Sequence, residues 1–222
     1  MEIPNVNVSN GKVAIGENVG VLDQGIRTVA IGVSAGSNTQ GEEAIGIGYV
    51  AGQENQKFGA VAIGSTAGTY TQGEYSVAIG YFAGTTNQKD NAIAIGKGTA
   101  TETQGLAAVA VGMEAGASNQ KDYAVSLGYY AGNDNQGANA VAIGTSAGRE
   151  VQGQNSIAIG NLAASTSQGS NSIIINASGA DLSTAEHDRA YIKPVRGATN
   201  PAGGTANHIW YNALTSEVCY HI

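Results

Sequence analysis

Val77-Ala78-Ile79-Gly80-Tyr81-Phe82-Ala83-Gly84, with Gln88 four residues further on, is one copy of the pattern that decides the fold. One period of sixteen residues later it reads Ile93-Ala94-Ile95-Gly96, with Gln104. One period earlier it reads Val61-Ala62-Ile63-Gly64, with Gln72. The first glycine column runs without a gap from Gly16 to Gly160, and Asn176 takes the next slot. A second small column runs from Gly20 to Gly148, with Ala100 and Ala164 as its alanines. No insertion or deletion breaks the register between residues 13 and 176. A fixed period without length variation marks a solenoid rather than a string of independent domains.

Sixteen residues are too few for a helix pair and suit one turn of a flattened β-coil, with two short strands and two tight turns. The Val-Ala-Ile unit is β-branched and has strand character. The glycines fall where turns need positive φ. About eleven coils stacked as parallel strands at ~4.8 Å predict an all-β rod roughly 50 Å long. Pro4, Pro194 and Pro201 all lie outside it, as a hydrogen-bonded ladder requires. Composition agrees. The 222 residues include 33 Gly, and aromatic residues are only 6%, too few for a thick conventional core. Three prolines and no glycine triplet exclude collagen. The single Cys219 excludes a disulfide scaffold. A charged fraction of 12% is too low for a charge-expanded disordered chain. No apolar window is long enough for a transmembrane helix.

In a strand, Val77 and Ile79 point one way and Ala78 the other. Both faces are apolar in nearly every coil, and strands apolar on both faces are normally buried on both. The opposite wall of the same coil covers only one face. Self-association is the economical way to cover the other along the whole rod, although the arithmetic does not fix the number of chains. Val61, Ile63, Val77, Ile79, Ile93, Ile95, Val141 and Ile143 are the representative interface and core positions.

The glutamine column, including Gln40, Gln56, Gln72, Gln88, Gln104 and Gln120, reads as a ladder of stacked amides. Ligand binding is its minority reading. Glycine follows most of these glutamines, but Lys57, Lys89 and Lys121 replace it at intervals of two coils, which suggests duplication of a two-coil unit. Tyr49, Tyr81, Phe82, Tyr129 and Tyr130 form an aromatic row near one turn. The row reads first as turn packing and second as a surface for sugar rings.

These columns resemble the head repeats of YadA-like trimeric autotransporter adhesins. Ser76-Val77-Ala78-Ile79-Gly80 and Ser156-Ile157-Ala158-Ile159-Gly160 carry the likeness. Val141-Ala142-Ile143-Gly144-Thr145-Ser146-Ala147-Gly148 with Gln152-Gly153 is similar to the sixteen-residue form in phage and large-virus fibres. The resemblance covers residues 13–176. It implies a left-handed parallel β-roll, a homotrimer with the Val-Ala-Ile strands lining the inside, and attachment or structural work without catalysis. The start, Met1-Glu2-Ile3-Pro4-Asn5, does not read as a signal peptide. With no heptad stalk or membrane anchor in the sequence, a virion fibre or other extracellular surface is the expected location.

Three regions are expected: an N-terminal strand or cap over 1–12, the β-roll over 13–176 and a C-terminal β cap over 177–222. In the last, Ala190 to Arg196 reads as a strand interrupted at Pro194, and Ile209-Trp210-Tyr211-Asn212 and Glu217-Val218-Cys219-Tyr220 read as a hairpin. Ile3, Val6, Val8, Trp210, Tyr211 and Tyr220 are the candidates for end-to-end contact.

Chemistry-bearing residues are scarce. His187, His208 and His221 all lie in the tail, no His/Cys spacing suits zinc, and no glycine-rich stretch ends in a phosphate-loop lysine. No cofactor or metal is expected, and the chain reads as a non-enzyme. A net charge of −7 disfavours nucleic acid and anionic membranes, leaving glycan or protein receptors and other copies of the chain as partners. The leading expectation is a trimeric structural or adhesive fibre acting as a rigid spacer or attachment element of a virus or phage. A filament subunit joined through its ends is the alternative. An ice-binding solenoid ranks third, because Thr39, Thr71 and Thr103 alternate with Asn55, Asn87 and Asn119 instead of forming a regular threonine array.

Overall fold

A computed structural model describes residues 6–194 and the strands Ile209–Asn212 and Glu217–Tyr220. No helix occurs among the described residues. The rod is a β-solenoid of about eleven turns. Its first wall is a 13-stranded sheet in sequence order. Val6–Ser9 opens it antiparallel to Lys12–Ile15, and every later neighbour is parallel. Pairing is one coil apart throughout the repeat, with Val61 beside Val77, Val77 beside Ile93 and Val125 beside Val141. The second wall is thinner, and short strands such as Asn38–Gln40 and Glu54–Gln56 give way to single bridges from Gln72 to Gln120.

The strand alternation sorts residues as the pattern requires. The central residue of each three-residue strand of the first wall points into the coil, and Ala62, Ala78, Ala94 and Ala110 have no exposed surface. Their flanking Val and Ile point outward and stay part-exposed. The two walls come so close that alanine is the main apolar filling. Among the described residues Ile174 is the largest fully buried side chain, and it stands where the repeat ends. Leu182 and Tyr191 pack beside it and close the C-terminal end of the alanine core.

The ladder extends one strand past the strict repeat. Ala190–Lys193 lies parallel to Ile173–Asn176, with Ile173 opposite Ala190, a step of one residue more than the period. The extra residue hides this rung from a periodicity search, and the strand stops before Pro194, which cannot donate to a ladder. The strands Ile209–Asn212 and Glu217–Tyr220 pair antiparallel, with Trp210 opposite Cys219. Ile3 and the side chains of Val6, Val8, Trp210, Tyr211 and Tyr220 lie outside the described residues.

Two glycine columns are fixed by different obstacles. At Gly64, φ is +127° and a Cβ would sit 2.6 Å from the carbonyl oxygen of Gly80 in the next coil. At Gly68, φ is +53° and a Cβ would meet the Gln72 amide oxygen at 2.8 Å. The first column thus lets coils stack, and the second makes room for the buried glutamine. Other turn positions hold left-handed φ without glycine, among them Val50 at 61° and Tyr130 at 55°. A β-branched residue in that region costs about 1–2 kcal/mol, which only the stacked ladder offsets. Gly64→Ala is expected to lower stability in urea unfolding by about 3 kcal/mol or more. Val50→Asn is expected to raise it by about 1 kcal/mol, since asparagine tolerates the left-handed region.

Candidate functional site

The outer face of the first wall is the largest unusual surface of the rod. Val61, Val77, Ile79, Ile93, Val141 and Ile143 are half-buried, and Ile63 and Ile95 are just over a third exposed. Leu127 reaches 46%. These side chains form two unbroken columns, because each stands beside its counterpart in the next coil. A three-residue strand spans ~10 Å and eleven steps of ~4.8 Å give ~53 Å, so the apolar face covers roughly 500 Å². That is in the range of about 300–600 Å² of a monomer's largest and often functional apolar patch, here drawn out into one continuous strip.

The glutamines lie inside the coil. Gln40, Gln56, Gln72, Gln88, Gln104 and Gln120 are at most 1% exposed. Gln56 Nε2 lies within hydrogen-bond reach of the Gln72 Oε1 at 3.1 Å, the Ile45 carbonyl at 2.7 Å and the Ala60 carbonyl at 3.1 Å. Each amide therefore bridges the interior from the second wall to the first and also continues a ladder along the rod. The ladder runs from Gln24 to Gln72 and resumes from Gln88 to Gln168. Between the two runs Gln88 Oε1 is a buried acceptor without a partner. Ser126 replaces the usual strand alanine and donates to Gln136 Oε1 at 2.7 Å, so this polar core substitution joins the same network.

The alternating lysines have a geometric counterpart beyond duplication. Lys57 Nζ lies 3.7 Å from Asp90 Oδ1, and Lys89 Nζ lies 3.0 Å from Asp122 Oδ1. Each pair skips one coil. The skipped coil carries Gly73 or Gly105 in the lysine column, and a Cβ on Gly73 would sit 2.6 Å from Asp90 Oδ1. Asp90 and Asp122 also accept from the Glu74 and Leu106 N–H groups of the preceding coil. The Leu106 N–H, and after it the Lys89 ammonium, hold the Asp122 carboxyl below its ordinary range. Column-by-column reading separates Lys89 from Asp122, although both residues are plain in the sequence. A search for opposite charges two coils plus one residue apart would find the pair. A second ladder escaped the same reading: Asn139, Asn155 and Asn171 bond in series to Asp188 on an outer turn.

Tyr49, Tyr81, Phe82 and Tyr129 are exposed and Tyr130 is half-buried; the row pairs within coils, whereas Phe58 and Tyr75, outside it, meet edge to face across neighbouring coils at 5.3 Å. Tyr81 and Phe82 meet edge to face with centroids 4.4 Å apart, as do Tyr129 and Tyr130. Tyr49 is 61% exposed and stands apart from both pairs. Among the described residues, no three His, Cys, Asp or Glu side chains gather as a metal site would need, and no helix is long and apolar enough to cross a membrane. Comparison with known proteins finds no matching family model, no matching curated protein and no matching solved structure.

Replacing Gln104 by Leu would leave Gln88 Nε2, Gln120 and the Ile93 carbonyl without their shared partner. Gln104→Leu is expected to cost about 3 kcal/mol in urea unfolding. Asp122 has a depressed native pKa, so its stabilisation is present above the unfolded carboxylate value and is lost as pH falls through the native one. Asp122→Asn is expected to cost under about 1 kcal/mol at neutral pH, the ion pair being exposed, and the difference from wild type should vanish in acid.

Proposed function

We propose that the chain is one third of a homotrimeric fibre, a left-handed β-roll that serves as a rigid attachment or spacer element of a virus or phage. The observation that carries this reading is the two-column Val/Ile wall, continuous over the rod and open in a single chain. An area of roughly 500 Å² approaches the ~800 Å² that each partner contributes to a stable interface. The wall lies on one side of the coil, so copies arranged about a common axis bury it equivalently. The resemblance to YadA-like and phage-fibre repeats supports a trimer and the same buried face.

The role is mechanical and adhesive, not catalytic. Stacked coils pinned by internal amides resist bending, and the exposed turns can change without disturbing the ladder. Glycan or protein receptors are the expected external partners, and the virion fibre or another extracellular surface is the location. An end-to-end filament is less favoured, because Val6–Ser9 reverses strand direction at the N-terminal end of the sheet and a further coil cannot continue the parallel ladder there. An ice-binding face is less favoured too, since Thr39 and Asn55 are the exposed central residues of neighbouring second-wall strands, both with left-handed φ, and threonine alternates there with asparagine instead of forming a regular array.

Light scattering of the intact chain should give the mass of three copies. The double variant Ile79→Asp/Ile95→Asp should stay folded in part and lose assembly, because each site would place a charge in an apolar interface. A folded wild-type monomer at micromolar concentration, or a variant that still assembles, would overturn the reading.

A further inference from the structure

Where the chain leaves the first wall and begins the second, Tyr129 and Tyr130 border an open cleft of about 650 Å³. Asn133, Asp134, Ser146, Arg149 and Glu150 complete its lining. The two rings stand at 85° and form a corner, and Tyr129 is 45% exposed. Asn133 and Asp134 are held from outside the cleft, and Arg149 and Glu150 hold each other within it. Asn133 Nδ2 donates to the Glu114 carbonyl at 2.7 Å, and Asp134 Oδ1 accepts from Asn135 Nδ2 at 2.9 Å. Arg149 donates to Glu150 Oε1 at 2.6 Å. Each still has capacity left: the second oxygens of Asp134 and Glu150, and the remaining guanidinium N–H groups.

The same combination recurs three coils earlier. Tyr81 and Phe82 make an edge-to-face pair beside a cleft of about 450 Å³ lined by Lys97, Glu102 and Glu114. Three coils separate the two clefts by ~14 Å along the rod. Both combine an aromatic corner, one cation and carboxylates.

We infer that these paired clefts bind a neutral pyranose sugar. A tyrosine or phenylalanine face is electron-rich and takes the C–H groups of a sugar ring's apolar side. Fixed carboxylate, amide and guanidinium groups around an apolar platform supply the acceptors and donors that hydroxyl groups need. Two carboxylates against one cation in each cleft repel an anionic sugar, and a cationic ligand, which carboxylates and ring faces would attract, is the competing occupant that the choline probe excludes. The inference rests on the reading of the aromatic turn as a contact surface and does not depend on the number of chains.

The test is saturation-transfer NMR on the intact chain with the methyl glycosides of glucose, galactose and mannose. N-acetylneuraminic acid and choline serve as charged probes. At least one neutral glycoside should receive saturation, and the double variant Tyr81→Ala/Tyr129→Ala should weaken its binding about tenfold. Tyr123→Ala, a comparably exposed aromatic on another turn and outside these edge-to-face pairs, should leave it unchanged. Binding of no neutral glycoside, binding of a charged probe alone, or binding indifferent to the double variant would overturn the inference. Light scattering on the same samples separates the two proposals. A trimer that binds no sugar contradicts the cleft alone, and a sugar-binding monomer contradicts the fibre alone.

Discussion

The closeness of the two walls is the constraint on which the rest of the structure depends. A coil of sixteen residues leaves room for an alanine methyl at Ala62, Ala78 or Ala94 and little more. Such a core removes modest apolar area from water, so hydrophobic burial alone cannot hold the coil. The interior is completed by amides. Except at the break between Gln72 and Gln88, each buried glutamine bonds backbone carbonyls across the coil and the amide of the next, which converts a polar side chain from a liability into a cross-tie. Gly68 is glycine because that tie occupies the space where its Cβ would be.

The same thinness forces the bulk outward. Val and Ile cannot enter the coil, and the strand alternation sends them to the outer face. The chain therefore carries a continuous apolar surface on the outer face of its first wall. Left-handed turn residues add to the cooperative character of the rod. Val50, Phe82 and Leu162 adopt conformations that a lone coil would not hold, and stacking fixes them. Two devices end the stack. Val6–Ser9 folds back antiparallel on the first rung, and Ile174 with Leu182 and Tyr191 fills the far end.

Much of this was legible in the residues. The unbroken period sets the parallel register, so that Val77 opposite Ile93 follows from counting. The alternation of Val, Ala and Ile identifies a strand with two apolar faces, and the invariant spacing of Gln56, Gln72 and Gln88 identifies a ladder. Other features escaped because they cross columns or break the count. Lys89 and Asp122 meet across a skipped coil, a relation that appears only when Gly105 is seen to vacate the space between them. The strand Ala190–Lys193 continues the sheet after an extra residue, so no periodic search reaches it. The cleft at Tyr129 draws its polar groups from two successive coils, and only stacking brings Arg149 and Glu150 to its rim. Which side of each strand faces inward was also undetermined by pattern alone, since both sides are apolar. The crowding at Ala78 settles it.

Hydroxyl-radical footprinting tests most directly whether the outer wall is covered. Leu127 is 46% exposed in the single chain and Tyr49 is 61% exposed on a turn. Coverage by other copies predicts that Leu127 is protected while Tyr49 reacts freely. Modification of Leu127 at the rate its single-chain exposure implies would contradict the account.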